Sequence, residues 1–120
     1  MKTLSQVLGA HAAAVVTVNP RESAEHALKL MTSHKAGAVL VMQHHHVVGV
    51  VTEQDCQRSA SGSRVQDIMR PVVCASQQTT VHDAMAIMAE QHVSHLPVLD
   101  EHKDVIGLVS MGALKEKPAA

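Results

Sequence analysis

The sequence contains no phenylalanine, tryptophan or tyrosine, and its net charge is close to zero. Ten Lys and Arg residues stand against eleven Asp and Glu residues, which gives a formal net charge of −1 over 120 residues. Single-stranded nucleic acids are usually bound by stacking on aromatic rings, and polyanions and anionic membranes by basic patches. Neither feature is available, so we expect neither nucleic acid nor a membrane as a partner.

Long apolar runs and paired cysteines are also missing. No stretch approaches the ~20 apolar residues of a transmembrane helix, and Ser5 and Gln6 interrupt the apolar start of the chain below what a signal peptide requires. Cys56 and Cys74 are far apart and form no C-x-x-C motif, which favours two reduced thiols. We therefore predict a soluble, cytoplasmic protein.

The chain does contain an informative segment, Val47–Asp55, which reads V-V-G-V-V-T-E-Q-D. The valine-rich run predicts a short buried strand. Thr52 is a good helix N-cap, and Asp55 falls in the first helical turn, where a carboxylate is favourable. A hydroxyl, a carboxylate and free helix N–H groups together suit a sugar diol and a phosphate. The alternative interpretation of Thr52 and Asp55 is a capping box without a ligand.

The same pattern recurs as V-I-G-L-V-S-M-G-A at Val105–Ala113, without the final acid. Ser23–Met31 likewise aligns with Thr80–Met88. The chain is thus one unit of about sixty residues written twice, and we divide it into repeats 1–60 and 61–120 of one compact module.

Each repeat predicts the order β-α-β-β-α, an α/β (α+β) fold. The predicted strands are residues 15–18, 37–42 and 47–51 in the first repeat and residues 72–75, 96–99 and 105–109 in the second. One repeat is too small to bury an adequate core alone, so we expect the two to pack sheet to sheet, related by a pseudo-twofold axis, with a cleft between them. Pro97 inside a strand predicts an edge position, or a place where the backbone is left free for some other contact.

The segment G-V-V-T-E-Q-D of the first repeat and H-L-P-V-L-D of the second resemble the cystathionine-β-synthase (CBS) domain family. Two such domains in tandem form a Bateman module, and the resemblance covers essentially the whole chain. It implies a regulatory module that binds an adenosine compound in the cleft, such as AMP, ADP, ATP or S-adenosylmethionine. We expect no metal. The module would signal by conformational change to an unidentified partner protein.

The resemblance also implies the site residues. Asp55 would hold the ribose hydroxyls, while Thr52 and a partly protonated His95 would meet the phosphate. The further implied contacts are Val50, Val72, Val73, Ser94 and Pro97, with Lys2 as a weaker phosphate contact. On its own, His95 would be interpreted as a surface or core histidine.

The other half of the cleft departs from this pattern. Ala113 replaces the acid, and Gly37 stands where His95 stands in the second repeat. We therefore predict one competent site per chain, with the Ala113 side weak or empty.

Three further expectations concern metal, assembly and catalysis. His44–His46 predicts a polar hairpin turn, with a zinc site as the alternative. A homodimer is expected from the resemblance and from apolar helix faces predicted to be exposed at Leu28, Met31, Met85 and Met88. The sequence has no nucleophile–base pair or P-loop, so we do not expect an enzyme. A ligand-free oligomerisation module with a vestigial cleft is the competing hypothesis.

Overall fold

The computed structural model describes residues 2–10 and 15–115. In chain order its elements are α1 (Leu4–Ala10), β1 (Thr17–Val18), α2 (Ala24–His34), β2 (Ala38–Gln43), β3 (His46–Thr52), α3 (Glu53–Gln57), α4 (Val65–Ile68), β4 (Ala75–Ser76), α5 (Val81–Gln91), β5 (His95–Leu99), β6 (Val105–Ser110) and α6 (Met111–Lys115). The predicted β-α-β-β-α order therefore occurs twice. It forms a mixed α and β fold with two three-stranded sheets.

These residues divide into two compact units. We call Val15–Val72 the Asp55 unit, and residues 2–10 with 73–115 the Ser110 unit. The units exchange the leading helices of the two repeats. Leu4 of α1 donates its N–H to Thr79 in the Ser110 unit (2.8 Å), and Val65 of α4 donates its N–H to Glu22 in the Asp55 unit (2.8 Å). The predicted repeats 1–60 and 61–120 describe the duplication in the sequence and stay a prediction. The compact units have other boundaries, because each contains the first helix of the other repeat.

In the Asp55 unit, β2 lies between β1 and β3. It pairs with β1 in parallel and with β3 as an antiparallel hairpin. The helix α2 presents small and apolar residues at helical spacing to one face of this sheet. The buried core residues are Val18, Ala24, Ala27, Met31, Val39, Val41, Val51, Cys56 and Val65.

The Ser110 unit repeats this plan, with β5 between β4 and β6. Its buried core residues are Leu4, Ala75, Ala84, Met88, Leu96, Val98, Val109 and Leu114. The expectation of exposed apolar helix faces is wrong at two positions, because Met31 is 1% and Met88 0% exposed. Both lie on the sheet-facing side of their helices and fill the cores. Leu28 and Met85 are half-buried against those cores.

The two long helices begin and end alike. Ser23 caps α2 by accepting from the N–H of His26 (3.0 Å), and Thr80 caps α5 in the same way (3.1 Å to the N–H of Asp83). Each helix ends at a residue in the left-handed conformation, Lys35 (φ 53°) or His92 (φ 56°). No helix in the described ranges has both the length and the apolar character needed to cross a membrane.

Pro97 alters the sheet of the Ser110 unit. It is fully buried in the central strand β5, so the predicted edge position is wrong. At the equivalent position of the Asp55 unit, Leu40 donates its N–H to the carbonyl of Val16 (3.0 Å). Pro97 has no N–H, so this bond to the Val73 carbonyl cannot form. The backbone at Val73 is thus left without this bond, as the alternative prediction has it. Both first strands begin later than predicted, β1 at Thr17 instead of residue 15 and β4 at Ala75 instead of residue 72.

Candidate functional site

The candidate site lies where β3 ends and α3 begins. Thr52 has extended backbone geometry, and its Oγ1 accepts from the N–H of Asp55 (3.3 Å). In return, Oδ2 of Asp55 accepts from the N–H of Thr52 (3.0 Å). This reciprocal pair is a capping box, so Thr52 begins the helix and Asp55 lies in its first turn, as the sequence predicts.

Asp55 has a second partner that the sequence did not reveal. Oδ1 of Asp55 accepts from Nε of Arg70 (2.9 Å) and lies 2.8 Å from its Nη2. The backbone of Arg70 is fixed to β3, because Arg70 and Val50 exchange N–H···O=C bonds of 2.9 and 3.1 Å. The carboxylate is therefore held by β3 on one side and by the segment after α4 on the other.

The two partners of this ion pair differ in solvent access. The side chain of Asp55 is 7% exposed, whereas that of Arg70 is 61% exposed. Desolvation by burial raises the pKa of Asp55, but the hydrogen bonds from Arg70 and Thr52 outweigh it, and the pKa is lowered from its usual value. The carboxyl group is thus ionised at neutral pH.

Gly49 explains how Arg70 reaches this position. A Cβ at Gly49 would lie 2.9 Å from Sδ of Met69 and 3.0 Å from the carbonyl oxygen of Arg70. The absence of a side chain lets the end of α4 approach β3 closely. A glycine in a strand is a sequence signal for close approach, but it does not say which segment approaches.

The corresponding segment of the Ser110 unit keeps the cap and lacks the charges. Ser110 Oγ accepts from the N–H of Ala113 (3.1 Å), as Thr52 does from Asp55. A Cβ at Gly107 would lie 2.5 Å from Leu8, so Leu8 occupies the place of Met69. The residue that follows Leu8 is Gly9, not arginine. Among the described residues, the two positions equivalent to Asp55 and Arg70 are therefore Ala113 and Gly9, which carry neither a carboxylate nor a guanidinium.

The remaining predicted contacts are distributed over both units. In the Asp55 unit, Val50 is buried in β3 and Val72 is half-buried beyond the last helix. In the Ser110 unit, Val73 is half-buried, and the exposed Lys2 accepts at its carbonyl from the N–H of Val81 (2.9 Å). The participation of these residues in binding stays a prediction.

Three predicted contacts lie at the start of β5: Ser94 directly precedes the strand, and His95 and Pro97 are its first and third residues. Ser94 Oγ lies 3.1 Å from Nδ1 of His95, and the carbonyl of Ser94 accepts from the N–H of Met111 (2.9 Å). Burial lowers the pKa of His95. Neutral imidazole therefore predominates at pH 7, contrary to the expectation of a partly protonated His95.

The histidine turn is a tight two-residue connection. Gln43 pairs with His46, and His44 and His45 both have left-handed geometry (φ 52° and 66°). Within the described part of the chain, no group of three or more His, Cys, Asp or Glu side chains is placed to hold a metal.

A separate cavity of about 540 Å³ lies between the start of α2 and the Ser/Gly linker. Its lining includes Ser23, Leu28, Cys56 and residues 59–63. The N–H of Ala24 is already bonded to the carbonyl of Ser63 (2.9 Å). None of the predicted contact residues lines this cavity, so it is not part of the candidate site.

Comparison with known proteins identifies a family for both repeats. The family model for the CBS domain matches residues 11–62 and 65–119. A crystal structure of the CBS domain NE2398 superposes with a TM-score of 0.84 at 38% identity, covering 95% of both chains. Inosine-5'-monophosphate dehydrogenase of Korarchaeum cryptofilum is 36% identical over 98 residues, 80% of this chain and 21% of that enzyme. The chain therefore spans about a fifth of the length of the first curated relatives.

Two more distant structures share the fold and carry a nucleotide. One is CBSX2 in complex with AMP, with a TM-score of 0.74 at 24% identity, covering 95% of this chain and 93% of that chain. The other is the cytosolic domain of the Mg²⁺ channel MgtE in complex with ATP, with a TM-score of 0.71 at 24% identity, covering 83% and 43% of the two chains.

Proposed function

This chain belongs to the CBS domain family, and we propose that it is a regulatory module that binds an adenosine nucleotide at the end of β3. The observation that carries the proposal is a buried, ionised carboxylate, Asp55, at a helix start that also offers the hydroxyl of Thr52. CBS-fold proteins in complex with AMP and ATP support this ligand class.

The chemistry of the residues fits a ribose better than a metal. An ionised carboxylate accepts two hydrogen bonds from the vicinal hydroxyls of a ribose, and charge-assisted bonds of this kind are the stronger ones. A single carboxylate paired with arginine offers a cation no free charge. Val50, Val72, Val73 and Pro97 are apolar and suit the faces of an adenine ring, and Ser94, His95 and Lys2 are proposed polar contacts.

The regulatory role follows from what a binding module can do. Ligand shifts the population of conformations by its differential affinity for them, and a partner protein senses the shift. Relatives that are enzymes, such as the inosine-5'-monophosphate dehydrogenases, match over about a fifth of their own length, so we assign catalysis to a partner and not to this chain. We further propose that the protein is cytoplasmic and forms a homodimer.

Titration calorimetry tests the proposal directly. The wild-type chain is titrated with AMP, ADP, ATP and S-adenosylmethionine, and we expect heat of binding for at least one of them. Asp55→Asn should abolish that heat. Asp83→Asn is a matched control, since Asp83 occupies the same position in a threonine-capped helix but is exposed. Absence of binding by the wild type, or unchanged binding by Asp55→Asn, would contradict the proposal.

A ligand-free oligomerisation module is the second candidate function. The observation that favours it is that Asp55 already has partners within the chain, namely Thr52 and Arg70. On this hypothesis Asp55→Asn lowers stability only, and no adenosine compound changes the melting temperature of the wild type.

A further inference from the structure

We propose that Arg70 makes this site select nucleotides over nucleosides. In the free chain its guanidinium is paired with the carboxylate of Asp55. When the ribose of a ligand binds that carboxylate, the guanidinium pairs with the phosphate of the ligand instead. This inference rests on the proposed function. It adds a residue that the family resemblance did not supply, and it gives that residue a specific effect on ligand choice.

The hydrogen-bonding capacity of Asp55 carries the first step. A carboxylate has about four acceptor positions. The Thr52 N–H uses one on Oδ2 and Nε of Arg70 uses one on Oδ1, while Nη2 of Arg70, 2.8 Å from Oδ1, occupies the space of another. A ribose diol donates two bonds, yet about one position remains. At least one bond from Arg70 must therefore open before both hydroxyls bind.

Solvent access decides which partner moves. Asp55 is buried and fixed by the capping box, so its carboxylate stays in place. The side chain of Arg70 is 61% exposed, while its backbone is held by the paired bonds to Val50. The guanidinium can therefore turn away from Asp55 without movement of its own backbone, and it remains tethered beside the site.

The charge of the ligand then determines whether a nucleoside or a nucleotide binds more tightly. A neutral nucleoside that displaces Arg70 leaves a buried carboxylate without its counter-charge, which is unfavourable. A nucleotide brings a phosphate, and arginine binds phosphate through charge-assisted, often bidentate hydrogen bonds. The guanidinium that leaves the carboxylate of Asp55 then pairs with the phosphate of the ligand, so it keeps an anionic partner. The site thereby discriminates by the charge of the ligand as well as by its sugar.

The test compares adenosine with AMP in Arg70 variants by titration calorimetry. In Arg70→Gln, we expect AMP affinity to fall by about tenfold or more, the loss typical of a hydrogen bond to a charged group. Adenosine affinity should be unchanged or higher, because its competitor for Asp55 is weaker. Arg70→Lys should retain part of the preference for AMP, since it keeps the charge without the planar fork.

Arg58→Gln is the control for general charge effects. Arg58 is exposed and follows α3 in the same unit, so the variant removes the same charge close to the site. It should leave the ratio of the two affinities unchanged. Circular dichroism establishes that each variant is folded, and Arg70→Ala provides a second neutral variant.

The outcomes separate this inference from the proposed function. If Arg70→Gln and Arg70→Ala change both affinities equally, or change neither, the role of Arg70 is refuted while nucleotide binding stands. Equal affinity of the wild type for adenosine and AMP refutes it in the same way. A wild-type chain that binds neither ligand refutes both proposals.

Discussion

An Asp55→Ala substitution removes two hydrogen bonds and one further ion-pair contact from the junction of β3 and α3. Loss of the reciprocal cap bond costs about 1 kcal/mol. The ion pair contributes at most about 1 kcal/mol, because Arg70 is 61% exposed and solvent screens the pair. The released guanidinium turns into water, so the penalty of about 3–5 kcal/mol for a stranded buried charge does not apply. We expect the free energy of unfolding to fall by about 1–2 kcal/mol.

Far-UV circular dichroism is the appropriate assay, since the chain has no aromatic residues for fluorescence. About 1 kcal/mol shifts the melting temperature of a domain of this size by about 4 °C, so the midpoint should fall by about 4–8 °C. Asp83→Ala is the matched control and should stay within about 0.5 kcal/mol of the wild type, because Asp83 is exposed.

The pH dependence provides an independent check of the same interaction. Asp55 has a folded-state pKa below its usual value of 3.8. Its contribution is therefore fully present above that usual value and is lost as the pH falls through the lower folded-state pKa. The wild type and Asp55→Ala should converge in stability below that range. A loss above about 4 kcal/mol at neutral pH, no loss at all, or a difference that persists in strong acid would refute the reasoning.

Three further predictions follow from local geometry. Replacing His44-His45 by Asn-Gly should raise the free energy of unfolding by about 1 kcal/mol, since both residues have positive φ and Asn-Gly suits this turn; no gain in a urea titration would contradict this. His95 has a lowered pKa, so protonation opposes folding, and His95→Gln should reduce the loss of stability as the pH falls below its usual 6.5. Gly107→Ala should cost at most about 1 kcal/mol, because the added Cβ contacts side-chain atoms of Leu8 that can shift, and adding Leu8→Ala should make the two costs less than additive in a double-mutant cycle.

Local signals in the sequence were sufficient for the elements around the site. Thr52 and Asp55 are three residues apart, and a capping box depends only on that spacing. The starts of the two long helices were predictable in the same way, since Ser23 and Thr80 are side-chain N-caps that bond to the N–H three residues later. The duplication supports the predicted order of helices and strands, because two separate segments of the sequence predict the same order.

Arg70 was not predicted because its interaction is tertiary. It lies fifteen residues from Asp55 in the chain and follows α4, a helix that the sequence repeat assigns to the other copy. The exchange of α1 and α4 between compact units depends on which helix covers which sheet, and periodicity does not encode that choice. Gly49 signals only that some backbone comes close to β3.

Pro97 and the long-helix methionines were misjudged for a similar reason. Proline in a strand predicts an edge when the lengths of the neighbouring strands are unknown. Pro97 is tolerated in the central strand because β4 pairs only with the residues beyond it, Val98 and Leu99. Met31 and Met88 fill cores that have no aromatic side chains, a role suited to flexible methionine.

The comparison of α3 with α6 argues that Asp55 does more than cap a helix. Both helices contain five residues and both begin at a hydroxyl cap, Thr52 or Ser110. The helix α6 forms with Ala113 in place of the acid, so the hydroxyl cap suffices for this geometry. The Ser110 unit also has Gly9 where the Asp55 unit has Arg70. A buried carboxylate is less costly beside a cation, so the two charged residues are expected to occur together. Of the two units, as far as the structure describes them, the Asp55 unit has this pair at the end of its sheet, and the proposed binding of a ribose and a phosphate depends on it.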